Sequence, residues 1–79
     1  MKMIKIEVIG SGCAKCRRLH ASVLKAVKKA GIEAEVVKVE DIVEIMERGI
    51  MLTPALIING ETVSSGKVLD VKDILDLLK

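Results

Sequence analysis

Cys13 and Cys16 are the chain's two cysteines, and they stand two residues apart in the stretch Gly10-Ser11-Gly12-Cys13-Ala14-Lys15-Cys16-Arg17-Arg18. If the backbone turns helical at the first of them, both side chains share one face, because residues three apart are neighbours on a helix. The sulfurs can then close a small disulfide without unwinding the helix. Cys13 would also stand among N–H groups that have no partner inside the helix, at the positive end of its dipole. An unperturbed thiol titrates near pH ~8.5 and is about 3% thiolate at pH 7, whereas cysteines in this motif fall to roughly 3.5 to 7.5. Lys15, Arg17 and Arg18 add positive charge that pushes the same way. Cys13 is therefore expected to be the attacking, partly exposed thiolate, and Cys16 the resolving thiol, packed inward and harder to ionise.

Other uses of the pair fit less well. A structural crosslink across so short a ring contributes only about 2 kcal/mol in the chain-entropy account of disulfides. A closed zinc site needs four ligands, and one Cys-x-x-Cys supplies two. His20, one helical turn after Cys16, is a third donor in principle, but a lone histidine in a basic helix is usually solvated. A c-type haem is excluded because Arg17, not histidine, follows Cys16.

These cysteines must be positioned by what surrounds them. Met3 to Ile9 reads as a strand in which Ile4, Ile6 and Val8 alternate with Lys5, Glu7 and Ile9, apolar enough for a central place. Gly10-Ser11-Gly12 breaks it and lets the backbone come close to whatever approaches Cys13. Ala14 to Ala30 reads as a helix with Cys16, Leu19, Val23, Ala26, Val27 and Ala30 on one stripe, ended by Gly31. Glu33 to Val39 is a second strand, and a helix of this length between two strands argues for a parallel crossover. Asp41 and Glu44 open a short helix in capping-box fashion, with Ile42, Ile45 and Met46 on it and Gly49 stopping it. Ile50-Met51-Leu52-Thr53-Pro54 is unusually apolar for a loop, which marks it as core or docking surface. Ala55 to Ile58 and Glu61 to Ser64 form a hairpin about Asn59-Gly60, with Gly66 at its end. Asp70 caps a last helix with Asp73 at its third position and Val71, Ile74, Leu75 and Leu78 inward. The predicted architecture is one α/β domain over residues 1–79, ordered βαβαββα, with a four-stranded mixed sheet and helices on both faces.

Composition narrows the function. Seventy-nine residues bury only about 60% of their unfolded surface, so the core is small, and with 51% hydrophobic residues and no aromatic one it is wholly aliphatic. A net charge of +2 is too small to argue for nucleic acid. Lys15, Arg17, Arg18, Lys25, Lys28 and Lys29 face no acid between residues 14 and 32, while Glu40, Asp41, Glu44 and Glu47 cluster further on; both read as solvated faces. Two cysteines do not make the framework of a small secreted protein, which favours a reducing, cytoplasmic setting. Lys5 and Glu7 interrupt the N-terminal apolar run, so no targeting segment is expected, and no stretch approaches the ~18 apolar residues of a membrane span.

The combination of Cys13-Ala14-Lys15-Cys16 after the first strand, Thr53-Pro54 before the third, the Asn59-Gly60 hairpin, Gly66 and a final helix resembles the thioredoxin superfamily. It is most similar to the small prokaryotic thioredoxin-like, redox-active disulfide proteins, over essentially the whole chain. The resemblance implies a thioredoxin fold and a thiol-disulfide oxidoreductase that needs no cofactor beyond a Cys13–Cys16 disulfide. It implies a role in electron transport and cell redox homeostasis. It also implies a cis bond at Pro54, facing the dithiol, with Gly12, Leu52, Thr53, Pro54 and Gly66 receiving an extended partner segment. Glu7, six residues before Cys13, is similar to the buried acid that assists proton removal from the resolving thiol, although its spacing suits an exposed strand carboxylate equally; Lys38 is expected beside it, and Lys15 beside the thiols. Gly12 and Ala14-Lys15 depart from the aromatic and Gly-Pro of thioredoxins and the Pro-Tyr of glutaredoxins, which puts their usual reductants in doubt. Expected partners are protein or small-molecule disulfides and a thiol reductase or reductant of unspecified kind, with no nucleic acid or membrane and the chain a monomer.

A second reading is a metal-binding or metal-delivery domain using the same pair. Ferredoxin-like domains of that kind usually carry Met two residues before the first cysteine and finish on a strand, where this chain has Ser11 and a final helix. A third is an inert adaptor on the same scaffold.

Overall fold

The computed structural model describes residues 4–10 and 14–78. Seven elements follow in the predicted order: β1 (Ile4–Ile9), α1 (Ala14–Ala30), β2 (Ala34–Val39), α2 (Ile42–Glu47), β3 (Ala55–Ile58), β4 (Glu61–Ser65) and α3 (Val71–Leu77). The sheet runs β2-β1-β3-β4. β1 is parallel to β2 and antiparallel to β3, and β3 is antiparallel to β4.

β1 is therefore interior, and its alternation feeds two cores. Ile6 and Val8 join Leu19, Val23 and Ala26 of α1, Leu56 of β3 and Ile74 of α3 on one side. Ile9 joins Val39, Ala55, Ile57 and Ile45 of α2 on the other. β2 also splits between them, with Val36 on the α1 and α3 side and Val37 on the α2 side. An interior strand covered by helices on both faces places apolar residues on both sides, as β1 does with Ile6 and Val8 on one and Ile9 on the other.

Local chemistry accounts for the element ends. Asn59 (φ 51°) and Gly60 (φ 82°) both lie in the left-handed region that a two-residue hairpin turn of this hand requires. The Asn59 Oδ1 accepts from the Lys5 N–H at 3.0 Å, tying the turn to β1. Asp70 accepts from the Asp73 N–H at 3.0 Å and caps α3. Asp41 caps α2 through the Val43 N–H at 2.9 Å, but Glu44 turns its carboxylate to Arg48 rather than back to the cap. Ala30, expected on the inward stripe of α1, is exposed. A helix of this length spans about 25 Å and a six-residue strand about 20 Å, so α1 outruns the sheet. Among the described residues no helix is long and apolar enough to cross a membrane.

Candidate active site

The site lies where β1 ends. Cys16 is 4% exposed, on the buried stripe of α1 with Leu19 and Val23. Its sulfur occupies space that only a glycine leaves open. A Cβ built on Gly10 would overlap the Cys16 Sγ, and would stand 3.2 Å from the Cys16 Cβ and 3.9 Å from the Pro54 Cα. Gly10 cannot retreat easily, because its N–H donates to the Val39 carbonyl at 2.9 Å. Gly10, Cys16 and Pro54 thus meet at one point. Cys13 and Gly12, the expected nucleophile and its neighbour, lie outside the described residues.

The loop before β3 brings up the other wall. The Thr53–Pro54 bond is cis, and Pro54 is fully buried while Thr53 is exposed. The Gly66 N–H donates to the Pro54 carbonyl at 2.8 Å, and the Ser65 hydroxyl to the Leu52 carbonyl at 3.2 Å. Gly66 has φ +75°, and a Cβ there would press to 3.2 Å from the Leu52 Cβ. Leu52, Thr53, Pro54 and Gly66 are accordingly one laced unit. Apolar side chains stand exposed on this loop and on α2: Met51 is 93% exposed, and Leu52, Ile42, Val43 and Met46 are each more than half exposed. α2 buries Ile45 alone and offers the remainder of its apolar residues outward.

Glu7 is the buried charge among the described residues, at 5% exposure. Register places it between Val37 and Ile57, on the α2 face. Its partner is Arg48, whose Nη1 lies 2.6 Å from Oε2 while Nη2 lies 3.0 Å from the Glu44 Oε1. The Arg48 guanidinium is pushed above its ordinary value, first by the hydrogen bond to Glu44 and then by the two carboxylates' charge, against the opposing effect of burial. Lys38, expected beside Glu7, is in register with Val8, so alternation puts it on the opposite face, where it pairs with Glu40 at 3.5 Å. Burial, and then the charge of Lys38, lower the pKa of His20, which lies on that same side. Lys15 is exposed on the first turn of α1.

Sequence reasoning missed Arg48 and the true role of Gly10. The i,i+4 spacing of Glu44 and Arg48 was a visible signal for a pair on α2. Nothing in the spacing pointed across to Glu7. Among the described residues no three His, Cys, Asp or Glu side chains gather to hold a metal.

The model of the thioredoxin domain family matches residues 4–79. The chain belongs to the thioredoxin family. It is 37% identical over 76 residues to the thioredoxin of Methanothermobacter thermautotrophicus, covering 96% of this chain and 99% of that one. It is 40% identical over 77 residues to the thioredoxin of Methanocaldococcus jannaschii, covering 98% and 88%. Among solved structures, a malaria parasite thioredoxin-2 superposes with a TM-score of 0.75 at 16% identity, over 99% of this chain and 84% of that one. A second malarial protein gives 0.75 at 14%, over 98% and 94%. The first of these establishes the fold as that of thioredoxin. Thioredoxins work through their own redox-active cysteines without a cofactor, so an oxidoreductase role comes with the membership. Nothing in these likenesses points to metal delivery.

Proposed function

We propose that this thioredoxin-family chain reduces disulfides of proteins or small molecules through Cys13 and Cys16. The Cys13 thiolate attacks one sulfur of the substrate disulfide, forming a mixed disulfide and expelling the other sulfur as a thiolate, which takes up a proton. Cys16 then gives up its proton and attacks Cys13, releasing the second substrate thiol and leaving a Cys13–Cys16 bridge. Two electrons pass to the substrate, and a dithiol reductase or a small thiol must return them. The carrying observation is the packing of the Cys16 sulfur against Gly10 beside Pro54. A resolving thiol belongs there, shielded and within reach of the first turn of α1.

The apolar surface of Ile42, Val43, Met46, Met51 and Leu52 suits an extended partner segment laid along Thr53 and Gly66. Gly12 belongs to the same proposed contact with the partner segment. Lys15 supports the thiolate electrostatically, and Glu7 supports proton removal from Cys16. A reducing, cytoplasmic setting and a monomer accord with this chemistry. The Ala14-Lys15 dipeptide favours a reductant, with a potential well below the roughly −120 mV of strongly oxidising dithiols.

The test is reduction of insulin with a dithiol donor, by the parent chain and by Cys13→Ser. Turnover that vanishes in the variant supports the reading; equal rates overturn it. Cys16→Ser should stall the mixed disulfide and allow partners to be trapped. Stoichiometric metal on the reduced protein, lost with either cysteine, would favour the metal-binding alternative instead.

A further inference from the structure

Glu7 is deeply buried on the central strand, and the chain supplies its counter-ion from an unexpected place. Arg48, at the C-terminal cap of α2, reaches Glu7 at 2.6 Å and Glu44 at 3.0 Å. The elements packed around Glu7 carry few other charges on its face. β2 presents Val37 opposite it and exposed Glu35 further along; β1 itself presents exposed Lys5 on the same face; β3 presents Ile57; α2 presents Glu44 and Arg48. Among the described residues Arg48 is the cation in contact with the carboxylate, and Lys38 lies on the other side of the sheet.

We propose that Arg48 is a positioning residue for the dithiol, holding Glu7 against α2 and cancelling its charge on the strand that leads to Gly10 and Cys16. The inference rests on Cys13 and Cys16 being a redox pair. From Glu7 to Gly10 is three residues, about 10 Å of strand, and Gly10 is in contact with Cys16. A unit charge at about 10 Å, under an effective dielectric near 20, moves a titration by roughly one pH unit, and by less where water enters. With Arg48 present, the Glu7–Arg48 pair is neutral toward the dithiol. Without Arg48, an uncancelled negative charge opposes formation of the thiolate.

The experiment follows the rate of thiol alkylation by iodoacetamide against pH, which reads the midpoint of the reactive thiol. Arg48→Ala should raise that midpoint by roughly half to one unit, Arg48→Lys should keep it near the parent value, and Glu7→Gln should lower it. Combining Glu7→Gln with Arg48→Ala should return the midpoint toward that of the parent. If Arg48→Ala does not fold, Glu7→Gln is compared with Glu7→Gln/Arg48→Met, which removes the cation with no buried carboxylate left unpaired, and the midpoint should rise by a similar amount. A purely structural Arg48 would lower the melting temperature and leave every midpoint where it was. That result, or a double variant that fails to restore the midpoint, overturns the proposal. A parent protein with an ordinary thiol midpoint and no insulin reduction would instead overturn the redox reading beneath it.

Discussion

Gly10→Ala tests the packing on which the site is built. The added methyl would overlap the Cys16 sulfur, and neither partner has a ready way out. Gly10 is pinned by its hydrogen bond to Val39, and α1 is anchored on the core by Leu19, Val23 and Ala26, all fully buried. Overpacking of this kind costs about 1 to 3 kcal/mol. Gly10 is not among the glycines with positive φ, so alanine meets no backbone penalty and recovers about 0.4 to 1 kcal/mol by restricting the unfolded chain. The net loss is then on the order of 1 to 2 kcal/mol, or a fall in Tm of about 5 to 15 °C for a domain this small. Thermal unfolding of the reduced protein measures it. Cys16→Ala removes the clashing sulfur, so the double variant should recover at least about 1 kcal/mol of the Gly10→Ala loss. A Gly10→Ala protein as stable as the parent, or a double variant whose losses simply add, would refute the reasoning. The loss should also appear in chemistry, as slower closure of the Cys13–Cys16 bridge under a fixed excess of oxidised glutathione.

Replacing Met51 and Leu52 together by Ser should lower kcat/KM on insulin about tenfold, equivalent to about 1.4 kcal/mol, while leaving reduction of a small aromatic disulfide nearly unchanged. His20 has its pKa lowered by burial first and Lys38 second, so the unfolded chain takes up a proton before the folded one as pH falls. The stability this contributes is complete above about pH 6.5 and is lost as pH falls from there through the folded midpoint. An NMR titration of the imidazole should show that midpoint rising in Lys38→Ala while staying below the unfolded value. Asp70→Ala should cost about 1 kcal/mol through loss of its hydrogen bond to the Asp73 N–H, read as a lower Tm with unchanged thiol reactivity.

The element order was legible because each signal was local. The α1 stripe through Cys16, Leu19 and Val23, the Asn59-Gly60 turn and the Asp70 cap each need only a few neighbouring residues to declare themselves, and all three stand as expected. The face of Glu7 was not legible. Period-two alternation says that Glu7 and Ile9 share a side, but in a strand covered on both sides it does not say which side carries a charge safely. Lys38 illustrates the same difficulty from the neighbouring strand, where a shift of one residue in register exchanges the faces. The apolar residues of α2 declared a helix but not how much of it would be covered. Ile42 and Met46 have the spacing of a buried stripe, yet α2 is six residues long and touches the sheet mainly through Ile45, so its remaining apolar side chains stay outside.

The buried charge and the uncovered apolar side chains both belong to the α2 side of the molecule. On the opposite side, α1 and α3 press Ile6, Val8, Leu56 and Ile74 into a core of aliphatic side chains alone. The α2 side keeps a smaller core together with a buried carboxylate, its guanidinium and the exposed apolar side chains of Ile42, Val43 and Met46. A chain this short has little core to spare, so burying Glu7 and leaving Ile42, Val43 and Met46 in water are both departures from what stability alone would select. The same helix therefore supplies the cation that neutralises Glu7 and the surface on which a partner is proposed to rest, and a partner that moved α2 would alter the charge behind the sulfurs.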